Sequence, residues 1–227
     1  MKRIDTTRAR LMAGTRTLAG LVIAAACTGA WAQVDAGWEC GNPFKNHFGP
    51  FDYRKADAGT KQLVEGAHFT PGVESLTKPK TTTYATMAGD VGYTLHVFPN
   101  HHRALMTMTR LGERHNSPQP PAAKFTIDCY YKRAVVYAPD DTVVRALYAR
   151  YLFKQERRDE ALQQLAAGAQ QAGDNPLSHF NLGLVYFDIG DYDRAAEQAL
   201  KARELGMPRT ELIDRLKGVN KWVEPGG

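Results

Sequence analysis

Residues Asn175 to Pro208 read NPLSHFNLGLVYFDIGDYDRAAEQALKARELGMP, and the fold is decided there. Two helical segments flank a tight turn at Gly190-Asp191. Leu182 and Tyr186 lie one turn apart on one helical face. Gly183 and, in the second segment, Ala195 are small enough for two antiparallel helices to cross closely. Gly190 is free to take a positive φ where the first helix ends.

Sliding this unit back by 34 residues puts Tyr148-Ala149 on Leu182-Gly183, Leu152 on Tyr186, Ala161 on Ala195 and Leu165 on Ala199. The small pair Ala149 and Ala161 keeps the separation of Gly183 and Ala195. Pro139 and Pro176 stand near the ends of their units. A leucine-glycine pair, a tyrosine three residues on and an alanine in the second helix, recurring in phase, resemble the tetratricopeptide repeat family. The resemblance implies an all-α fold, a short helical solenoid of hairpins.

Outward from this frame, the second hairpin runs from about Asp141 to Asn175 and the third from Pro176 to Pro208. A degenerate first hairpin precedes them. Its helices are expected over Asn100–Leu111, with Leu105, Met108 and Leu111 inward, and over Ala122–Tyr137, with Ile127, Tyr131 and Ala134 inward. Ser117-Pro118-Gln119-Pro120-Pro121 lengthens its turn. Residues 99–208 thus hold three hairpins. A helix over Thr210–Trp222, with Thr210 as N-cap and a Leu212, Leu216, Val219 stripe, closes the stack within residues 209–227.

Residues 33–98 read as an irregular, aromatic-rich segment packed on the repeats. Trp38, Phe44, Phe48, Phe51 and Tyr53 are interrupted by Gly41-Asn42-Pro43 and Gly49-Pro50, which break any helical or strand period. One short helical turn is expected around Gln62-Leu63-Val64 and a loop over Leu76–Gly89. For Asp90–Phe98 a helix capped by Asp90 is preferred to a strand carried by Tyr93, Leu95 and Val97. The strings CGNPFKNHFGPFDYR, VEGAHFTPGVESL and FPNHHRAL resemble a block of exported proteobacterial proteins that continue into tetratricopeptide repeats. That resemblance implies an architecture and no chemistry.

Residues 1–32 read as a secretory signal peptide. A basic start is followed by the apolar run Leu18–Cys27 and by Ala30-Trp31-Ala32, with cleavage expected after Ala32. The run is short for a membrane span, so no transmembrane anchor is expected after cleavage. A lipoprotein signal at Cys27 is the weaker reading, because Ala24-Ala25-Ala26 lacks the usual large aliphatic residue. The leader holds five of the 29 basic residues and one of the 24 acidic ones, which leaves 24 basic against 23 acidic. That balance removes the electrostatic case for a nucleic-acid partner. Of three cysteines, Cys27 goes with the leader. Cys40 and Cys129 are expected to bond in an oxidising, periplasmic or extracellular setting.

No nucleophile elbow, phosphate-binding glycine loop, zinc-protease helix or C-x-x-C is present, so neither an enzyme nor a cofactor is expected. The seven histidines include the adjacent pair His101-His102, whose side chains diverge by about 100° on a helix and chelate poorly. No metal site is assigned. The family resemblance places the concave groove along the first helix of each repeat. It assigns Arg150, Phe153 and Lys154 to partner binding from the second hairpin, beside Ala146. From the third come Phe180, Asn181, Leu184 and Phe187, beside Asp188. The lysine and asparagine clamp that some such repeats use for a peptide carboxylate is missing, with Ala146, Phe180 and Leu184 at its positions. The expected function is an exported adaptor holding another envelope protein. The alternative is a small-molecule- or metal-binding accessory protein that uses the His- and aromatic-rich N-terminal half.

Overall fold

The computed structural model describes residues 39–77 and 84–224. The signal-peptide reading of residues 1–32 falls outside the described residues. Among those described, there are ten α-helices and no strand. None of the helices is long and apolar enough to cross a membrane.

The hairpin that decided the sequence reading is formed by α8 (Pro176–Asp188) and α9 (Tyr192–Glu204). Asn175 starts α8 by accepting a bond from the Ser178 N–H, with Pro176 in the first turn where no donor is required. Asp191 caps α9 through the Arg194 N–H. Between the two helices Gly190 takes φ +79°, and the Asp191 N–H bonds to Tyr186 O at 2.9 Å.

The same turn recurs 34 residues earlier, between α6 (Thr142–Lys154) and α7 (Arg158–Gln171). There the Arg157 N–H bonds to Leu152 O at 3.0 Å. Glu156 stands at the position of Gly190 and takes φ +61° in spite of its Cβ. The packing forces the turn even where glycine is missing.

The close crossing is real. Gly183, Leu182, Tyr186 and Ala195 are all buried, as are Ala149, Leu152 and Ala161 of the preceding pair. A Cβ on Gly183 would stand 2.4 Å from Leu212 Cδ2, 3.1 Å from Gln198 Cβ and 3.4 Å from Ala195 O. Leu212 belongs to the closing helix α10 (Glu211–Gly218), so one glycine admits both its hairpin partner and the cap. Gly183→Ala is expected to lower stability by about 1 kcal/mol, overpacking outweighing the helix-propensity gain. Gly66→Ala, at a helical glycine with nothing within 4 Å, is expected to raise it by up to about 1 kcal/mol. Urea midpoints compare the two; equal effects would remove the close-packing account of Gly183.

The remaining helices build the stack backwards. They are α5 (Ile127–Tyr137), α4 (His102–His115), α3 (Tyr84–Val97), α2 (Pro71–Glu74) and α1 (Ala58–His68). Helices α4, α6, α8 and α10 form an inner row in which each touches the next, while α5, α7 and α9 pack behind them. Helix α3 packs on α4, and α1 packs on α3, so the stack gains a layer before its first expected hairpin.

Three expectations are corrected. Among the described residues of the segment expected to be irregular, the long stretch without a helix is 39–57; α1 and α3 are full helices. Helix α3 begins at Tyr84, inside the stretch expected to be loop, and Asp90 sits within it rather than capping it. The buried period Met87, Val91, Leu95 is obscured in sequence by threonines and glycines that each have local work. Thr94 Oγ1 bonds back to Asp90 O, and Gly92 leaves room for Tyr130, whose hydroxyl would stand 2.7 Å from a Cβ there. Finally, Thr210 does stand at the N-cap of α10 but makes no side-chain cap bond, and α10 stops at Gly218, leaving Val219 exposed. The preference for helix over residues 90–97 agrees with the structure.

Cys40 and Cys129 are bonded, with Cα atoms 5.0 Å apart across a separation of 89 residues. The disulfide ties the irregular N-terminal loop to the first turn of α5. Beside it the buried Arg133 donates from Nη1 to Cys40 O and Gly41 O, both at 2.9 Å, and its guanidinium lies 4.9 Å from the Phe125 ring.

Candidate interaction groove

Between α4 and α6 the inner row opens into a cavity of about 400 Å³. Its floor is aromatic. Tyr131 stacks on Tyr148 and Tyr151 at centroid distances of 5.2 and 5.4 Å. The Tyr131 hydroxyl is satisfied by Thr109 Oγ1 at 3.0 Å, and burial pushes this phenol above its ordinary pKa. Met106, 40% exposed, and Leu147 supply apolar walls. Arg110, Glu113, Arg150 and Lys154 surround the opening.

The charges at the opening are mostly paired. Lys154 Nζ lies 2.6 Å from Glu113 Oε1. Arg150 and Arg215 both bind Asp188, at 2.8 and 2.7 Å. Arg103 spans Glu65 and Glu74 at 3.0 and 2.8 Å. Exposed pairs of this kind contribute little stability each and leave their charges available to a partner.

The predicted groove residues separate into groups. Arg150 and Lys154 line the α4/α6 cavity. Phe180 does not belong to an open groove: it is 1% exposed, and the Arg209 guanidinium lies 4.9 Å from its ring. Ala146 is buried as well. Phe187 is half-buried against Tyr192, with Arg215 of α10 at 4.3 Å from its ring centre. Leu184 and Phe153 are half-buried against the core, with Arg158 at 5.9 Å from the Phe153 ring. Asn181 lines a separate polar cavity of about 250 Å³ together with Arg54, His102 and Asp141.

The physical reason is positional. Helix α8 is the last full member of the inner row, and α10 covers part of it. The open cleft therefore lies one pair earlier, where α4 contributes Met106, Arg110 and Glu113. The sequence reading missed these because the first hairpin is degenerate and the repeat frame was not carried onto it. Their i, i+4, i+7 spacing, opposite the buried Leu105, Met108 and Leu111, was the available signal.

The His- and aromatic-rich half forms a polar seam between the N-terminal loop and the inner row. Buried Asn100 donates from Nδ2 to Asp52 Oδ1 at 2.7 Å and to Asp141 Oδ2 at 3.0 Å, and its Oδ1 accepts the Tyr53 N–H. Asp141 also caps α6 and takes His102 Nε2 at 2.9 Å. Burial alone would raise the Asp52 pKa, but hydrogen bonds from Arg54 and Asn100 hold it well below the usual carboxylate range. Glu65 accepts the Tyr53 hydroxyl at 2.7 Å and faces His101 Nε2 at 2.9 Å.

Among the described residues, the one cluster of three metal-ligating side chains is Glu39, Cys40 and Cys129, whose two sulfurs are bonded to each other. The arrangement as a whole can lock the N-terminal loop in place and offer a partly apolar, charged cleft to a partner. No protein-family model matches this chain, and no curated protein matches it.

Proposed function

We propose that the protein is an exported adaptor of the tetratricopeptide-repeat type, a binding protein and not an enzyme. Its α4/α6 cleft holds a segment of another envelope protein. One observation carries the reading: an aromatic-floored cavity of about 400 Å³ on the inner row, with Met106 exposed inside a border of charged side chains. Aromatic and arginine groups around a partly apolar centre are the composition of interface hot spots. Hairpins repeating in phase support the repeat assignment, and a disulfide suits an oxidising compartment beyond the inner membrane. The signal-peptide reading supports a periplasmic or secreted location.

A photo-crosslinking residue at Met106, introduced into the full chain in its native envelope, tests the proposal. A discrete adduct with one polypeptide is expected, reduced at least about tenfold by Arg150→Glu. Absence of any adduct at Met106, with adducts forming at an exposed control position such as Leu63, would overturn it.

The second reading, a small-molecule accessory protein, draws on the polar cavity beside His102 and Asp141. Native mass spectrometry of protein taken from the envelope discriminates, since a retained small ligand favours that reading and a co-purifying chain favours the adaptor.

A further inference from the structure

The charges around the cleft are unevenly used. Glu113 is occupied by Lys154, Asp188 is shared by Arg150 and Arg215, and Arg103 serves both Glu65 and Glu74. These charges nearly cancel. Arg110 stands outside all of them. Among the described residues its Nη2 bonds only neutral oxygens, Glu74 O at 2.8 Å and Thr107 Oγ1 at 2.9 Å. Its side chain is exposed and lines the same cavity as Met106 and Leu147. A guanidinium offers five donors in a planar fork that matches a carboxylate, and one bond to a backbone carbonyl and one to a hydroxyl fix this one without neutralising it. Charge complementarity therefore asks for one anion at this end of the cleft, next to an apolar group over Met106, Leu147 and Tyr151.

Resting on the adaptor reading, we infer that the cleft recognises a polypeptide segment in which a large apolar side chain lies within a helical turn of a side-chain carboxylate. Arg110 is the residue that reads the carboxylate. The apolar group fills the cavity and supplies affinity, while Arg110 selects by charge, because a cation placed there meets an unpaired guanidinium.

The test uses the purified full chain and two labelled 12-residue peptides, acetylated and amidated so that only side chains carry charge. Each has one central tryptophan; one has glutamates at the flanking third and fourth positions, the other lysines. Fluorescence anisotropy at low salt is expected to show the glutamate peptide bound about tenfold or more tightly than the lysine peptide. The preference should shrink in about 0.5 M salt. Arg110→Glu is expected to abolish or reverse it, and Met106→Ala to weaken both peptides alike. Lys55→Glu, an equal charge change at an exposed side chain outside the cleft, should leave it intact. Circular dichroism melts confirm that each variant folds, and Arg110→Gln repeats the test should Arg110→Glu not fold.

Equal affinities, no binding of either peptide, or a preference unchanged in the Arg110 variant overturns the inference. A Met106 adduct in the envelope combined with equal peptide affinities leaves the adaptor reading standing and removes only the charge assignment. No adduct and no peptide binding removes both.

Discussion

Replacing Cys129 with serine is expected to destabilise the protein by about 4 to 5 kcal/mol, the cost the loop-entropy model attaches to a closed loop spanning 89 residues. Two structural facts make the whole of that effect fall on one joint. The N-terminal loop carries Cys40, buried completely, and is held to α5 by the disulfide and by the two Arg133 bonds to Cys40 O and Gly41 O. Cys129 itself sits in the first turn of α5, its N–H capped by Thr126 Oγ1 at 3.1 Å, so serine fits there without disturbing the helix start. Guanidinium unfolding under non-reducing conditions measures the change. Wild type in excess reductant should fall to the level of the variant, and the variant should be indifferent to reductant. A wild-type midpoint that reductant does not move would show that the Arg133 bonds and aromatic packing alone hold the loop.

The hairpins from Asp141 to Pro208 were legible because their period is written in side-chain size. Close helix crossings require small residues, and Ala149, Ala161, Gly183 and Ala195 mark them at equal separations. Their burial leaves no freedom for larger residues. The same logic failed in the N-terminal half for a physical reason. Helix α3 is specified by what it must let in, Tyr130 beside Gly92, and by threonine and histidine side chains that bond back to its own carbonyls. A helix of that composition has a weak apolar stripe.

The groove was legible only in part. Arg150 and Lys154 follow from the repeat frame, whereas Met106 and Arg110 stand on a helix outside it. An aromatic residue at a groove position is also ambiguous, since it packs where a neighbour covers it and binds where none does. Phe180 and Phe187 are crowded by Arg209 and Arg215, and nothing in their own hairpin announces that. The polar seam was beyond reading, because its bonds join residues 41 and 48 positions apart, Asn100 to Asp141 and to Asp52.

That seam yields the second large expected effect, an acid sensitivity that His101 imposes on the fold. Its ring is fully buried, stacked on Tyr53 at 3.9 Å with Phe69 edge-on at 4.9 Å. Nδ1 accepts the Ala104 N–H at 3.2 Å as the N-cap of α4. That bond requires the Nδ1 lone pair, so Nε2 carries the proton and donates to Glu65. Protonating Nδ1 would set two N–H groups against each other in a fully buried site. Burial accordingly pushes the His101 pKa down to about 4, although the Glu65 carboxylate opposes it and the Arg103 charge assists it.

The sign follows from linkage. Above about pH 6.5 the ring is neutral in both states and contributes no pH dependence. Between about 6.5 and 4 the unfolded chain binds a proton that the folded chain refuses, so stability falls on acidification, by about 2 to 3 kcal/mol at pH 4.5. Glu65 acts lower. Its burial favours the neutral acid, but the Tyr53 and His101 bonds outweigh that and lower its pKa, so its contribution is lost only as pH falls through that depressed value. His101→Asn supplies the discriminating comparison, since an asparagine oxygen can still cap Ala104 but does not titrate. The variant is expected to be less stable at pH 7.5, having lost the stacked ring, and to have a flatter stability profile between pH 6.5 and 4. Urea unfolding across that range measures both profiles. Parallel slopes for wild type and variant would mean that His101 is protonated in the folded protein as easily as in the unfolded one, and that the cap on α4 survives its charge.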